Sequence, residues 1–198
     1  MNKVRSYTTD QLLNHAKSIN GFKGFPKNKW IYSVRSNEDA ENIPDDKHYV
    51  FEDEKFITML TGSTNPGTPV LKGGFLKYNK VGAAVVKADE WYHDVWQYGL
   101  HMGKMPALRQ VGEFILFRDG NKNGKSEEIG KPIIGSHFGI NFHTMDYNVL
   151  SKRIIEKIGF WSAGCFICNN IEKYYQTISS FKRNGLTTLL CVNEFEPK

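Results

Sequence analysis

The chain has 198 residues, 40% of them hydrophobic, with 13 Phe, 9 Tyr and 4 Trp, enough to bury the core of one ordinary domain and too much for a disordered chain. No apolar run reaches the ~18 residues that a membrane-spanning helix needs. The formal net charge of +5 favours polyanions in general, but Lys and Arg are spread without a dense block or nucleic-acid motif, so no specific nucleic-acid partner is expected.

The opening MNKVRSYTTDQLLNHAKSIN is basic but has neither the apolar core nor the small-residue cleavage site of a signal peptide. Synthesis in the cytoplasm is the expectation, with any outside target reached by lysis, a virus particle or a secretion machine. Three cysteines, an odd number, argue against a disulfide framework and fit a reducing compartment. Thr8 or Thr9 can cap a helix through about Ile19, with Leu12, Leu13, Ala16 and Ile19 as its apolar stripe, until GFKGFP breaks it. KWIYSVRS reads as a strand, NEDAENIPDDK as an acidic, turn-rich passage, and KFITMLTGS as a second strand.

TNPGTP and KGG mark loops. Short stretches rich in Val, Phe and Ile follow (GAAVVKA, GEFILFRDG, HFGINFH), separated by Gly or Asn-Gly, which is the pattern of a mostly antiparallel β domain. The aromatic segment WYHDVWQYGLHMGKMPALRQ reads either as core plus surface loop or as one wall of a peptide-binding groove. DGNKNGKSEE imitates the start of a calcium loop at Asp119, Asn121, Asn123 and Gly124. Its twelfth position is Gly130 rather than Glu, so a glycine-rich hairpin turn is the better reading. After Cys168 an Asn cap, apolar residues at Ile171, Tyr174, Tyr175, Ile178 and Phe181, and an Asn184-Gly185 stop predict a helix, followed by the strand LTTLLCV.

Two features carry chemistry. Alternation in HFGINFH sets Phe138, Ile140 and Phe142 on a core face, with His137, Gly139, Asn141 and His143 on a polar one. A lone histidine there is either a solvated residue or a base. In WSAGC, small residues before Cys165 allow a tight turn whose N–H groups near Gly164 and Cys165 could face an oxyanion, and the helix that follows would favour a thiolate. His137, His143, Cys165 and Cys168 are also a formal zinc set. Six residues of strand, however, separate the histidines by ~20 Å, whereas zinc holds its ligands at ~2 Å. Cys165-x-x-Cys168 lacks the βαβ setting of a thioredoxin. Cys191, within TLLCV, reads as a small buried residue.

FGINFHT, an intervening loop, SAGC and then a helix resemble the active-site signature of the YkuD-type L,D-transpeptidases, and TGSTNPGTPVLKGGF is similar to that family's Thr-Pro-x-Gly hairpin. The resemblance covers roughly residues 56 to 193 and is to a divergent, phage-associated branch. It implies a mainly β (α+β) sandwich or barrel catalytic domain over residues 51–198, with residues 1–50 as a helix-and-strand extension packed on the core. It also implies cysteine-dependent acyl transfer on peptidoglycan stem peptides, without cofactor or metal, at a cell wall reached by phage or secretion. Cys165 would be the nucleophile and His143 its base, and Gly164 with the Cys165 amide the oxyanion site. Ser162, Asn141, His101 and Arg109 would bind substrate. Ala163 stands where the family has a second histidine, so a backbone carbonyl is the expected partner of His143. Ile167 stands where it has Arg or Asn, and Arg109 or Arg153 are the candidates to compensate. Transpeptidation and hydrolysis share this first half-reaction. A non-catalytic wall-binding or virion protein of the same fold is the alternative. In papain-like enzymes the cysteine precedes the histidine, the reverse of the order here.

Overall fold

The computed structural model describes residues 5–37, 42–74 and 80–197. Residues 38–41 of the acidic passage, and Phe75 at the end of the hairpin resemblance, lie outside them. The architecture is mainly β. In chain order it runs α1 (Thr9–Ser18), β1 (Lys29–Arg35), β2 (Asp46–Glu52), β3 (Lys55–Ser63), β4 (Ala83–Val86), β5 (Glu90–His101), β6 (Met105–Gln110), β7 (Phe114–Asp119), β8 (Ile133–Gly135), β9 (Phe142–Thr144), β10 (Phe166–Cys168), α2 (Ile171–Ile178) and β11 (Leu186–Asn193). Eight strands close a barrel in the order β1-β11-β5-β6-β9-β10-β3-β2, and β4-β7-β8 form a separate sheet. Pairing is mostly antiparallel, as expected. The exceptions are the parallel pairs β1 with β11 and β9 with β10.

Alternation along the strands builds two cores. Inside the barrel, Trp96, Leu108, Phe142, Phe166 and Cys168 pack with Phe114 and Leu116 from the smaller sheet and Tyr174 from α2. Outside it, Trp30, Tyr32, Phe51, Trp91 and Leu190 meet Leu12, Leu13 and Ala16 of α1. Thr8 and Gln11 close a reciprocal capping box at the start of α1, a feature that contributes about 1 kcal/mol. The expected boundary at residue 50 falls inside β2, and β1 pairs with both β2 and β11, so β1 and β2 are barrel strands.

Several local expectations change. HFGINFH is not one strand. Gly139 takes φ 74 and only Phe142–Thr144 pair, although Ile140 and Phe142 are buried as the alternation requires. KGG belongs to a π-helical turn over Val70–Gly74 rather than an open loop. The aromatic segment after Asp89 is a hairpin, β5–β6, whose pattern is interrupted at Asp94, which takes φ 53. DGNKNGKSEE begins the connection from β7 to β8 as nested Asx turns, with Asn121 N–H donating to Asp119 and Asn123 N–H to Asn121.

Candidate active site

The parallel pairing of β9 and β10 sets Phe142 beside Phe166 and His143 beside Ile167. Because side chains alternate, Phe142 and Phe166 enter the barrel, whereas Asn141, His143, Cys165 and Ile167 lie on the outward face. On the other side of β9, Leu108 of β6 pairs with Phe142, which brings Arg109 to the same outward face beside Asn141. Tyr174 of α2 bridges these strands, its single hydroxyl hydrogen lying between Pro106 O at 2.8 Å and Phe142 O at 3.1 Å.

His143 is not the solvated residue that a polar strand face suggests, because it is buried to 1% exposure. Its Nδ1 lies 2.7 Å from Thr144 O. A carbonyl only accepts, so Nδ1 carries the proton and Nε2 presents a bare lone pair. That Nε2 is buried and has no hydrogen-bond partner among the described residues. Burial, with the neighbouring His101 as the second cause, depresses the His143 pKa to about 3 despite the Thr144 carbonyl, so the ring is neutral at physiological pH. The backbone carbonyl expected to orient His143 is thus Thr144 O.

His101, at the end of β5, stacks on His143 with ring centroids 4.1 Å apart and planes 15° from parallel. Asn141 fixes its tautomer. Gln110 N–H donates to Asn141 Oδ1 at 2.9 Å, so Asn141 Nδ2 faces His101 Nδ1 at 3.0 Å as a donor. His101 Nδ1 therefore accepts and Nε2 bears the hydrogen. Burial and then Arg109 lower the His101 pKa. The Gln110 side chain adds a second clamp, accepting from Ile140 N–H at 2.9 Å and donating to Gly112 O and Gly135 O. Gln110 and Thr144 were not legible as site residues, because each acts through backbone contacts that carry no motif.

Cys165 is half-buried, and Asn141 N–H donates to its Sγ at 3.5 Å. The thiol donates to Gly139 O at 3.3 Å rather than to His143. Burial pushes its pKa up to about 11 in spite of the Asn141 amide. The helix dipole does not reach it. The three-residue strand β10 intervenes, so α2 starts only at Ile171, and dipole effects fade within the first turn. The expected thiolate is thus a neutral thiol at rest.

The turn before Cys165 is as tight as WSAGC suggests, but two of its predicted roles change. Ser162 is buried, and its hydroxyl accepts from Gly164 N–H at 3.1 Å while donating to Cys165 O at 2.8 Å. It shapes the turn and is not placed to bind substrate. The same bond takes up the Gly164 N–H, leaving the Cys165 amide as the oxyanion donor to consider. Gly164 has φ 135, and a Cβ there would lie 2.6 Å from Ala84 Cβ and Ala84 O, so only glycine fits.

Cys168 points into the barrel core while Cys165 packs with the outer cluster around Ile167 and Ile171, so the two thiols lie on opposite faces of the strand and all three cysteines are free. That opposition removes the reading of Cys165 and Cys168 as a redox or zinc pair. Among the described residues no three His, Cys, Asp or Glu side chains converge as metal ligands, and no helix is long and apolar enough to cross a membrane. Arg153 is exposed and pairs with Asp146 at 3.7 Å. The chain matches no protein-family model, no curated protein and no solved structure.

Proposed function

We propose that the chain is a cysteine-dependent acyl transferase of the L,D-transpeptidase kind, acting on peptide stems of peptidoglycan. The observation that supports it best is the shared outward face of β9 and β10, where a partly buried thiol and a neutral imidazole whose Nε2 has no partner among the described residues lie on neighbouring strands. Nucleophilic catalysis needs such a pair, with the base itself oriented by a third group, here Thr144 O.

The step begins with rotation of the Cys165 thiol away from Gly139 O. Sγ attacks a peptide carbonyl, its proton passes to His143 Nε2, and the carbonyl π pair moves to oxygen opposite the Cys165 amide. Collapse expels the amine, which takes the proton from Nε2, and leaves a thioester. An incoming amine or water then gives its proton to Nε2 and displaces Sγ, which is reprotonated. Because the resting pair is neutral, His143 acts as a general base during attack and not as one half of a standing ion pair.

Incubating the purified protein with peptidoglycan, or with a soluble tetrapeptide stem, should release or exchange a terminal residue visible by mass spectrometry. Cys165→Ala should abolish it, and His143→Ala should lower it about 10²- to 10⁴-fold, the range of a general base. Wall binding without product or covalent adduct between about pH 6 and about pH 9 would exclude the enzyme. The high thiol pKa and the occupied Gly164 N–H favour the second reading, a wall-binding or virion protein that retains the fold without catalysis.

A further inference from the structure

One peptide unit stands between Gln110 and the Cys165 thiol. Gly112 O and Gly135 O can only accept hydrogen bonds, and the Gln110 side-chain nitrogen lies 3.0 Å from each, so its NH2 faces them. That leaves Oε1 to accept from Ile140 N–H at 2.9 Å. In a trans peptide the N–H and C=O point in opposite directions, so the Gly139 carbonyl, which shares this plane, is turned away from Gln110. It is the group that accepts from the Cys165 thiol at 3.3 Å. The next unit is held separately: Trp96 Nε1–H donates to Ile140 O at 2.8 Å, and Asn141 N–H reaches the sulfur at 3.5 Å. Gly139 takes φ 74, and a Cβ there would meet nothing within 4 Å, so the Gly139–Ile140 unit has room to turn once Gln110 lets go.

We propose that Gln110 is a positioning residue for the nucleophile: through the Gly139–Ile140 peptide it keeps a carbonyl on the Cys165 thiol and so holds the sulfur in its protonated, unreactive form. This rests on the reading of Cys165 as the nucleophile and adds the restraint that keeps it at rest. A carbonyl oxygen stabilises S–H and repels a thiolate, whereas an N–H does the reverse. Ile140 is buried, so its N–H, deprived of Oε1, is left unpaired, which is costly. Turning the unit over presents that N–H to the sulfur, beside the Asn141 amide. Gln110 thus decides which end of one peptide dipole meets Cys165. Its backbone N–H, bound to Asn141 Oδ1, is untouched by a change of side chain.

Substitutions at position 110 test this without a wall substrate. Gln110→Met fills a similar space without an acceptor, whereas Gln110→Glu retains the acceptor for Ile140 N–H and loses both donors to Gly112 O and Gly135 O. Iodoacetamide at about pH 8 forms an S–CH2 bond as iodide leaves and the thiol proton passes to base, and peptide mapping reads the rate at each cysteine. We expect Gln110→Met to label Cys165 about 2- to 10-fold faster than wild type, the range for one net hydrogen bond. Cys168 and Cys191, both buried, should stay slow and serve as internal controls. Gln110→Glu should be no faster than wild type. A merely structural role for Gln110 would speed both variants alike and expose Cys168. Equal Cys165 rates in wild type and Gln110→Met, equal acceleration in the two variants, or a gain at Cys168 matching that at Cys165 each overturns the proposal. Should Gln110→Met fail to fold, Gln110→Asn, one methylene too short to reach Ile140, is read in its place with the same outcomes. Peptidoglycan turnover separates this clamp from the function. A protein that forms no product, yet whose thiol is released in Gln110→Met, loses the acyl-transfer reading and keeps the clamp. An active protein whose thiol is indifferent to position 110 keeps the reading and loses the clamp.

Discussion

The rings of His101 and His143 stack at 4.1 Å, and His143 is the better buried of the two. The stack does two things to His143: it keeps water from the ring, and it sets a second titratable ring against it. Both disfavour the imidazolium. His101→Ala should therefore raise the His143 pKa from about 3 toward the ordinary 6.5, while His101→Phe, still covering the ring, should raise it less. NMR titration of the His143 ring carbons reads this directly. An unchanged midpoint in His101→Ala would show that the barrel alone desolvates the ring.

Cys165 should alkylate before Cys168 and Cys191, because it is partly exposed while the other two are buried. Its own rate near pH 7 should still fall below that of a free thiol, since its pKa is pushed up to about 11, and should climb about tenfold per pH unit toward that value. Peptide mapping after timed iodoacetamide exposure measures both. A rate already level near neutrality would indicate a standing thiolate–imidazolium pair and contradict the neutral resting state.

Stability should fall in mild acid. Burial depresses His48 to about 4 and His143 to about 3, both below the ordinary 6.5, so the unfolded chain binds more protons in this window. The stability they allow is complete above about pH 6.5 and is lost progressively as pH falls through the two folded values, at ~1.4 kcal/mol per pH unit for each histidine. Urea midpoints at a series of pH values give the slope. His48→Gln should remove that residue's share of the slope, the rest coming from His143 with smaller parts from His101 and His15, and a flat profile between pH values bracketing this window would contradict the burial of both rings.

Gly164→Ala should destabilise the protein by more than about 2 kcal/mol, because it adds an unfavourable positive φ to a clash with the Ala84 backbone. Ser162→Ala should cost about 1–3 kcal/mol by leaving the Gly164 N–H unpaired inside the turn. Thermal melts measure both. A Ser162→Ala protein of unchanged stability would contradict this turn-shaping role.

Much of this was legible in the chain because it is local. Thr8 capping, the stripe Leu12, Leu13 and Ala16, the strands KWIYSVRS, KFITMLTGS and LTTLLCV, and the Asn170-capped helix with its Ile171, Tyr174 and Ile178 face depend on neighbours within one or two turns. The alternation that buries Ile140 and Phe142 likewise set Asn141 and His143 on one face, but the short strand after Cys165 that lines it up with them was not read. β2 and the β5–β6 hairpin were not read, because an acidic approach and a positive-φ Asp94 obscure the period of two. What only the tertiary structure decided is electrostatic. Whether His143 is solvated or buried, whether Cys165 is thiolate or thiol, and whether Ser162 faces substrate or its own turn depend on desolvation and on partners far away in sequence. His101 and Gln110 reach Asn141 from 40 and 31 residues away. A sequence pattern specifies which side of a strand a residue takes. The dielectric on that side is set by whatever the rest of the chain lays over it.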